Sequence, residues 1–437
     1  MVAFFMMKPF VSRSFLLAAC FLFISPRNAD FFAGEFTDDG AWCWFQDPRA
    51  IYLKAKHERT YASWMQSDGE LVVGYLDHHD LSTHSVTIKK HWDVDDHNSG
   101  SLLVLPDHRL MLFYARHNKK GLYARKSVRP ESIDGWEPEI TISDSSRITY
   151  SHPVYLTKER RFFVFWRGPT WKPTFATSLD GEQWSTPQVL IQQAGRESQD
   201  IRPYIKVSSD GVSKIHFTFT DGHPRNEPFN SVYYMNYSNG KFHRVEGDTI
   251  GNLSEKRPVS HTACSMVYDA HASGARAWVW DIAQDDQGHP VILYTRHPQE
   301  TDHRYHWARW TGDRWKDVEL CRSGKWFPNT PSGNIEPEPH YSGGMSLNHL
   351  NPYQVCGSIQ LDDRFEIVYW NGKAEGDQWA QQVVTSGSEF PNVRPVIPRG
   401  VPADRLHVLF MIGPYRHYTD YHTKIYLEYI HNLNAID

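Results

Sequence analysis

The chain has 437 residues, with 46 Lys and Arg against 51 Asp and Glu, and its net charge of −5 argues against a general nucleic-acid binder, which is normally basic. Hydrophobic residues make up 40% of it, enough for a substantial core, and 26 Pro with 28 Gly imply many turns. Aromatics at 14% exceed what helical packing usually needs; they suit strands, or a surface where rings stack on sugars.

At the start, Lys8 and Arg13 precede an apolar run from Phe15 to Ile24 that Ser25-Pro26 breaks. That is the pattern of an export signal over residues 1–29, too short to stay in a bilayer as an anchor. Secretion or a periplasmic location is expected. Leu17-Ala18-Ala19-Cys20 resembles a lipobox, so a lipid tether at the cell surface stays open. No other segment is apolar enough to span a membrane. Residues 30–437 are expected to form one domain. Its cysteines, Cys43, Cys264, Cys321 and Cys356, allow three disulfide pairings, or free buried thiols, and the sequence does not choose.

The mature chain carries an imperfect repeat: an apolar strand, a polar turn, an aromatic-rich second strand, a variable loop and two more short strands. First strands are expected near residues 48, 98, 152, 202, 277, 343 and 394. Seven such units predict an all-β, seven-bladed β-propeller with four-stranded blades. Asp180-Gly181, Gly312-Asp313 and Gly376-Asp377, each followed shortly by a Trp, read as turns between third and fourth strands.

In a propeller, the loop leading into a first strand and the loop leaving the second strand share a face. Polar residues at those positions are His97-Asn98 and His117 in blade two, Tyr150 and Arg167 in blade three, and Arg202, Tyr204, Asp221 and His223 in blade four. Any one of them alone is commonly a surface or packing residue. Their coincidence on three adjacent blades points to a site. Arg, His and Tyr suit β-elimination at a uronic acid: a cation steadies the carboxylate as the C5 proton leaves, a base takes that proton, and an acid protonates O4. A glycosidase would normally show two carboxylic residues instead.

Gly40-Ala41-Trp42-Cys43-Trp44-Phe45-Gln46-Asp47-Pro48-Arg49-Ala50, with His97-Asn98-Ser99-Gly100 and His117, resembles the BNR-repeat propellers that include ulvan lyases of polysaccharide lyase families 24 and 25. The histidines stand 20 residues apart and Tyr150 and Arg167 stand 17 apart. The resemblance implies His97 and Tyr150 in proton transfer, Arg167 as carboxylate neutraliser and His117 as support, with Asn98, Arg202 and Tyr204 binding substrate. The substrate it implies is a sulfated, uronate-containing polysaccharide such as ulvan. It also implies a structural zinc, for which His223, His261 and Cys264 are the candidate ligands, while the chemistry itself needs no cofactor. Two alternatives remain: a rhamnosyl-glucuronate hydrolase of glycoside hydrolase family 145, acting near Gln46 on the opposite face, and a non-catalytic glycan-binding propeller.

Overall fold

The structure is a computed structural model that describes residues 34–197, 201–325, 327, 342–373 and 376–431. The expected export signal lies outside the described residues. Seven small antiparallel sheets succeed one another along the chain. Their first strands are Ala50–Lys54, Ser101–Val104, Thr149–Leu156, Ile205–Ser209, Arg276–Gln284, Met345–Leu347 and Asn392–Val396. Each of these touches the first strand of the next blade, so together they line the central axis. Ile51 bridges to Arg399 where blade one meets blade seven. This is the expected seven-bladed propeller.

Strands in the middle of a blade are covered on both faces by neighbouring blades, and their composition follows. Leu110–Ala115 and Arg161–Arg167 are apolar runs rather than alternating ones, and every residue but Arg161 is buried. Asp180 behaves as the expected turn residue. Its Oδ1 accepts from the amides of Glu182 and Gln183, and the Trp184 indole donates back to the Gly181 carbonyl at 3.2 Å. The Trp379 indole repeats that bond to Gly376.

Two features depart from plain repetition. The outermost strand of blade seven is Gly34–Thr37, from the start of the described chain, paired with Lys424–Tyr429. The ring is therefore closed by joining the two ends of the chain, which removes an open sheet edge. In blade four, the place of a fourth strand is shared. Lys241–His243 pairs one end of Val232–Ser238 and Ser265–Tyr268 pairs the other, with the excursion through residues 249–264 between them.

The segment Ala41–Asp47 is wholly buried and crosses the axis. Trp44 packs on Trp280 at 4.6 Å and Trp278 at 5.2 Å between ring centroids. Phe45 packs on Tyr204 at 4.5 Å and Tyr150 at 5.3 Å. Beneath it, Lys206 and Arg49 both pair with Asp47. The aromatic plug thus forms a floor on which residues from blades three, four and five are set. Among the described residues, Cys43, Cys264, Cys321 and Cys356 are free thiols.

Candidate active site

One groove above this floor gathers His97, His117, Tyr150, Arg167, Arg202, Tyr204 and His223. The side chains expected from three separate blades therefore meet.

His97 sits in a single 3-10 turn, Asp96–Asn98, and Asp95 caps that turn by accepting the His97 amide at 3.0 Å. The same carboxylate accepts from His97 Nδ1 through Oδ1 and from His117 Nδ1 through Oδ2, each at 2.8 Å. One acid thereby orients two imidazoles, which lie parallel with centroids 4.1 Å apart and planes 7° apart. Tyr418 stands edge-on to both rings. Asp96 also reaches His97 Nδ1, its Oδ1 lying 2.9 Å away, while its Oδ2 forms a buried pair with Arg394 and accepts from Tyr415 at 2.7 Å. Asn98 was expected to meet substrate. Instead it is buried, its oxygen accepts the His117 amide, and its nitrogen donates to the Asp93 carbonyl. It holds the two loops of blade two together.

Tyr150 reaches the groove through a backbone irregularity. Thr149 pairs with Arg167 but His152 pairs with Phe165, so one extra residue is inserted, and Tyr150 takes a φ of 61°. A bulge of this kind re-aims a side chain beside a functional site, and the left-handed conformation is disfavoured for a residue with a Cβ. Arg167 ends the facing strand. It is buried, donates to Thr149 Oγ1 at 3.0 Å and to the Tyr204 hydroxyl at 3.4 Å, and lies 4.8 Å from the Tyr150 ring centre. Among the described residues no carboxylate pairs with it, so its charge is available to a ligand.

The surroundings separate the two histidines. Burial disfavours a charged His97, but the acidic groups around it, Asp95 and Asp96 among them, outweigh it and hold its pKa well above the ordinary value. Of these, the two carboxylates are ionised at neutral pH. Burial, reinforced by the charge on His97, lowers His117 to about 4 despite Asp95. The pair is therefore one imidazolium and one neutral imidazole. Since Asp95 accepts from His117 Nδ1, the lone pair of His117 is on Nε2. Burial raises the Tyr150 hydroxyl well above 10, against the opposing charges of His97 and Arg167. It carries its proton at neutral pH. For Asp95 and Asp96 burial works against ionisation, but His97 and His117 around the first, and Arg394 with His97 around the second, bring both carboxyls below the ordinary value. Neither can carry a proton near neutrality. Asp221, the acid most prominent in the sequence, is outside the groove, bonded to Ser231 N and the Tyr233 hydroxyl.

The three candidate zinc ligands do not converge. His223 lies against Trp278 with centroids 4.5 Å apart and accepts from Arg225 N through Nδ1. His261 Nδ1 accepts from Ala194 N. Cys264 is packed in an apolar cluster, and burial pushes its thiol up to about 12. Among the described residues, the ligand-bearing trios whose atoms lie within 4.8 Å of one another are Cys43, Asp96, His97 and Asp95, His97, His117. These histidines and carboxylates already neutralise one another. The residues do not fit the structural zinc.

Asp95, Asp96, Arg394 and Tyr418 were missed in the sequence. Asp95 and Asp96 directly precede His97, so the run Asp95-Asp96-His97 is the signal that the sequence carries. Arg394 and Tyr418 come from blade seven, which contributes only after ring closure.

The BNR repeat-containing family matches the chain over residues 59–322. No curated protein matches it. Among solved structures it is similar to a polysaccharide lyase PL25 ulvan lyase bound to -[GlcA(1-4)Rha3S]-, at 16% identity over 91% of this chain and 95% of that one, with a TM-score of 0.67. It is also similar to the polysaccharide lyase Uly1, at 11% identity over 88% and 90% with a TM-score of 0.55. A third is the BP39L lectin from Burkholderia pseudomallei, at 12% identity over 87% and 93% with a TM-score of 0.51. Identities this low establish the shared propeller fold. With the family match extending over more than half of its length, the chain belongs to the BNR repeat-containing family.

Proposed function

We propose that the protein is a polysaccharide lyase that cleaves a uronate-containing, sulfated polysaccharide of the ulvan type by β-elimination. The observation that carries the reading is the charge pattern of the groove: an imidazolium beside a neutral imidazole, a protonated phenol, an unpaired guanidinium, and no carboxyl able to hold a proton. Hydrolysis by a carboxylic acid and its carboxylate partner would need such a carboxyl. The hydrolase alternative near Gln46 draws no support, because Gln46 is fully buried and bonded to Ser99.

In this mechanism, Arg167 with the Tyr204 hydroxyl binds the uronate carboxylate. The imidazolium of His97 adds positive charge where the enolate-like intermediate becomes negative. His117 Nε2 accepts the C5 proton, and the C5–H electron pair becomes the C4–C5 double bond. The bond between C4 and O4 breaks, and O4 takes the proton of Tyr150. Return of the proton from His117 to the Tyr150 phenolate resets the site. The charge states move the base from His97, expected from the resemblance, to His117, and leave Tyr150 as the acid. Incubation with ulvan tests this, because elimination creates a conjugated, ultraviolet-absorbing uronate end, while hydrolysis and simple binding do not. Export from the cytoplasm, expected from the first 29 residues, is consistent with a polymeric substrate and belongs to the same proposal.

A further inference from the structure

Below the aromatic plug, the propeller axis is lined by ionisable side chains that the groove does not use. Arg49, His152, Lys206, Asp281, His349 and Arg399 come from blades one, three, four, five, six and seven, each on or close to the first strand of its blade. They sort into two groups. Towards the end away from the groove, the Asp281 carboxylate holds His349 Nε2 at 3.1 Å and Arg399 Nη2 at 3.5 Å, and its second oxygen accepts the Leu347 amide at 2.9 Å. There, one carboxylate balances one guanidinium. Nearer the plug, the Asp47 carboxylate pairs with both Arg49, at 3.0 Å, and Lys206. There, one carboxylate faces two cations.

This second group is also short of acceptors. Lys206 donates to Asp47 and to the Trp44 carbonyl. Arg49 Nε donates to Asp47, but among the described residues Arg49 Nη1 has no hydrogen-bond partner, and neither ring nitrogen of His152 has one. Arg49 and His152 are 2% and 1% exposed, so bulk water does not serve them. Burial lowers the His152 pKa to about 3, and the charges next in effect are Lys206, Asp47, Arg399 and Arg49, so its ring belongs to the same cluster. A neutral imidazole still carries one N–H. Burial also lowers Lys206, against the pull of Asp47; for Asp47 burial works against ionisation, but Lys206 and Arg49 outweigh it. The ion pair therefore keeps both charges. A buried donor without an acceptor and a buried cation without an anion each destabilise a fold, so such groups in a native structure call for a partner.

We propose that the axis binds a small monovalent anion of chloride size beside Arg49 Nη1 and the N–H of His152. It supplies the acceptor that both groups lack and the negative charge that the Asp47 group lacks. Water offers an acceptor but no charge, so the two occupants differ in their response to halide. The site is separate from the groove, because Trp44 and Phe45 lie between them, and it does not depend on the lyase reading. Arg399 and His349 are partly exposed at the far end of the axis and give the anion its approach. Through Arg49 the anion braces Asp47, and with it the plug that floors the groove.

The test is thermal unfolding of the full chain in sodium chloride, sodium bromide and the bulky-anion salt sodium gluconate, at equal ionic strength. The wild type is expected to melt about 2 °C or more higher in either halide, with an increment that saturates as halide is raised. Arg49→Lys keeps a cation and deletes the spare Nη1 donor, while His152→Phe keeps a ring and deletes both nitrogens. Each should lose most of the halide increment. Crystals of the wild type soaked in bromide give a second readout that does not depend on how a variant folds. Anomalous scattering should place a bromide in contact with Arg49 Nη1 and the His152 ring. Equal melting temperatures of the wild type in halide and gluconate, an increment that survives both substitutions, or an axis without a bromide peak would each overturn the site.

Discussion

Exchanging Asp95 for Asn replaces one oxygen with an amide nitrogen and removes the charge between the two histidines. Asp95 is 9% exposed and accepts one bond from each ring at 2.8 Å, so water can do little to replace what is lost. An amide accepts on one side only. Its N–H2 side would face a ring N–H, forcing one histidine into the other tautomer. If that ring is His117, its proton moves to Nε2 and the base disappears. Hydrogen bonds to charged groups are worth about 1.5–3 kcal/mol each, so disturbing two costs about 3–6 kcal/mol. At about 1.4 kcal/mol per decade of rate, kcat/KM should fall by about two to four decades. His97 also loses a counterion, so its pKa falls and the alkaline limb of the pH–rate profile should move to lower pH. Initial rates of unsaturated-uronate formation across pH, with circular dichroism to verify folding, measure both effects. A folded Asp95→Asn protein within threefold of wild type at every pH would refute the reasoning.

Tyr150→Phe keeps the ring packed on Phe45 and deletes only the proton donor, so turnover should fall by about 100- to 10,000-fold with an unchanged melting temperature. Arg167→Lys should be severely impaired, since an ammonium cannot reproduce the planar fork that meets a carboxylate, and the loss is read in kcat/KM. Phe36 is buried in the closing strand and packs edge-on against Trp64 at 5.6 Å, so Phe36→Ala should cost about 3–5 kcal/mol in a denaturant titration. Burial lowers His78 and His216 to about 4 and His407 to about 3, in each case well below their ordinary value. Between those values and about 6.5 the unfolded chain binds more protons, so stability should fall as pH is lowered through that window, which melting curves will show.

The blades were legible because their signal is local. Each first strand begins within a few residues of its expected position, and the Asp180-Gly181 turn is marked by its own residues and by Trp184 just after them. The site face was equally legible, since blade geometry alone decides which loops share it. What could not be read was anything made by ring closure or by backbone strain. Gly34–Thr37 has no sequence feature marking it as part of blade seven, and Arg394 and Tyr418 reach the site only because that blade adjoins blade two's loops. Trp171 looks like one more aromatic among 16 tryptophans until two left-handed residues turn it toward three arginines. The misplacement of Asn98 has the same origin: adjacency to His97 suggested substrate contact, whereas its buried amide is used up in joining two loops. His223, His261 and Cys264 were near in sequence position and blade, but burial and separate partners keep them apart.

The central claim is elimination at a uronate. The most direct measurement is product analysis after incubating the protein with ulvan, by ultraviolet absorbance and by mass spectrometry of the released oligosaccharides. The account predicts new non-reducing ends bearing a conjugated, unsaturated uronate, formed by the wild type and nearly absent with Tyr150→Phe. Saturated uronate ends carrying the elements of water would contradict it, and so would an intact polymer.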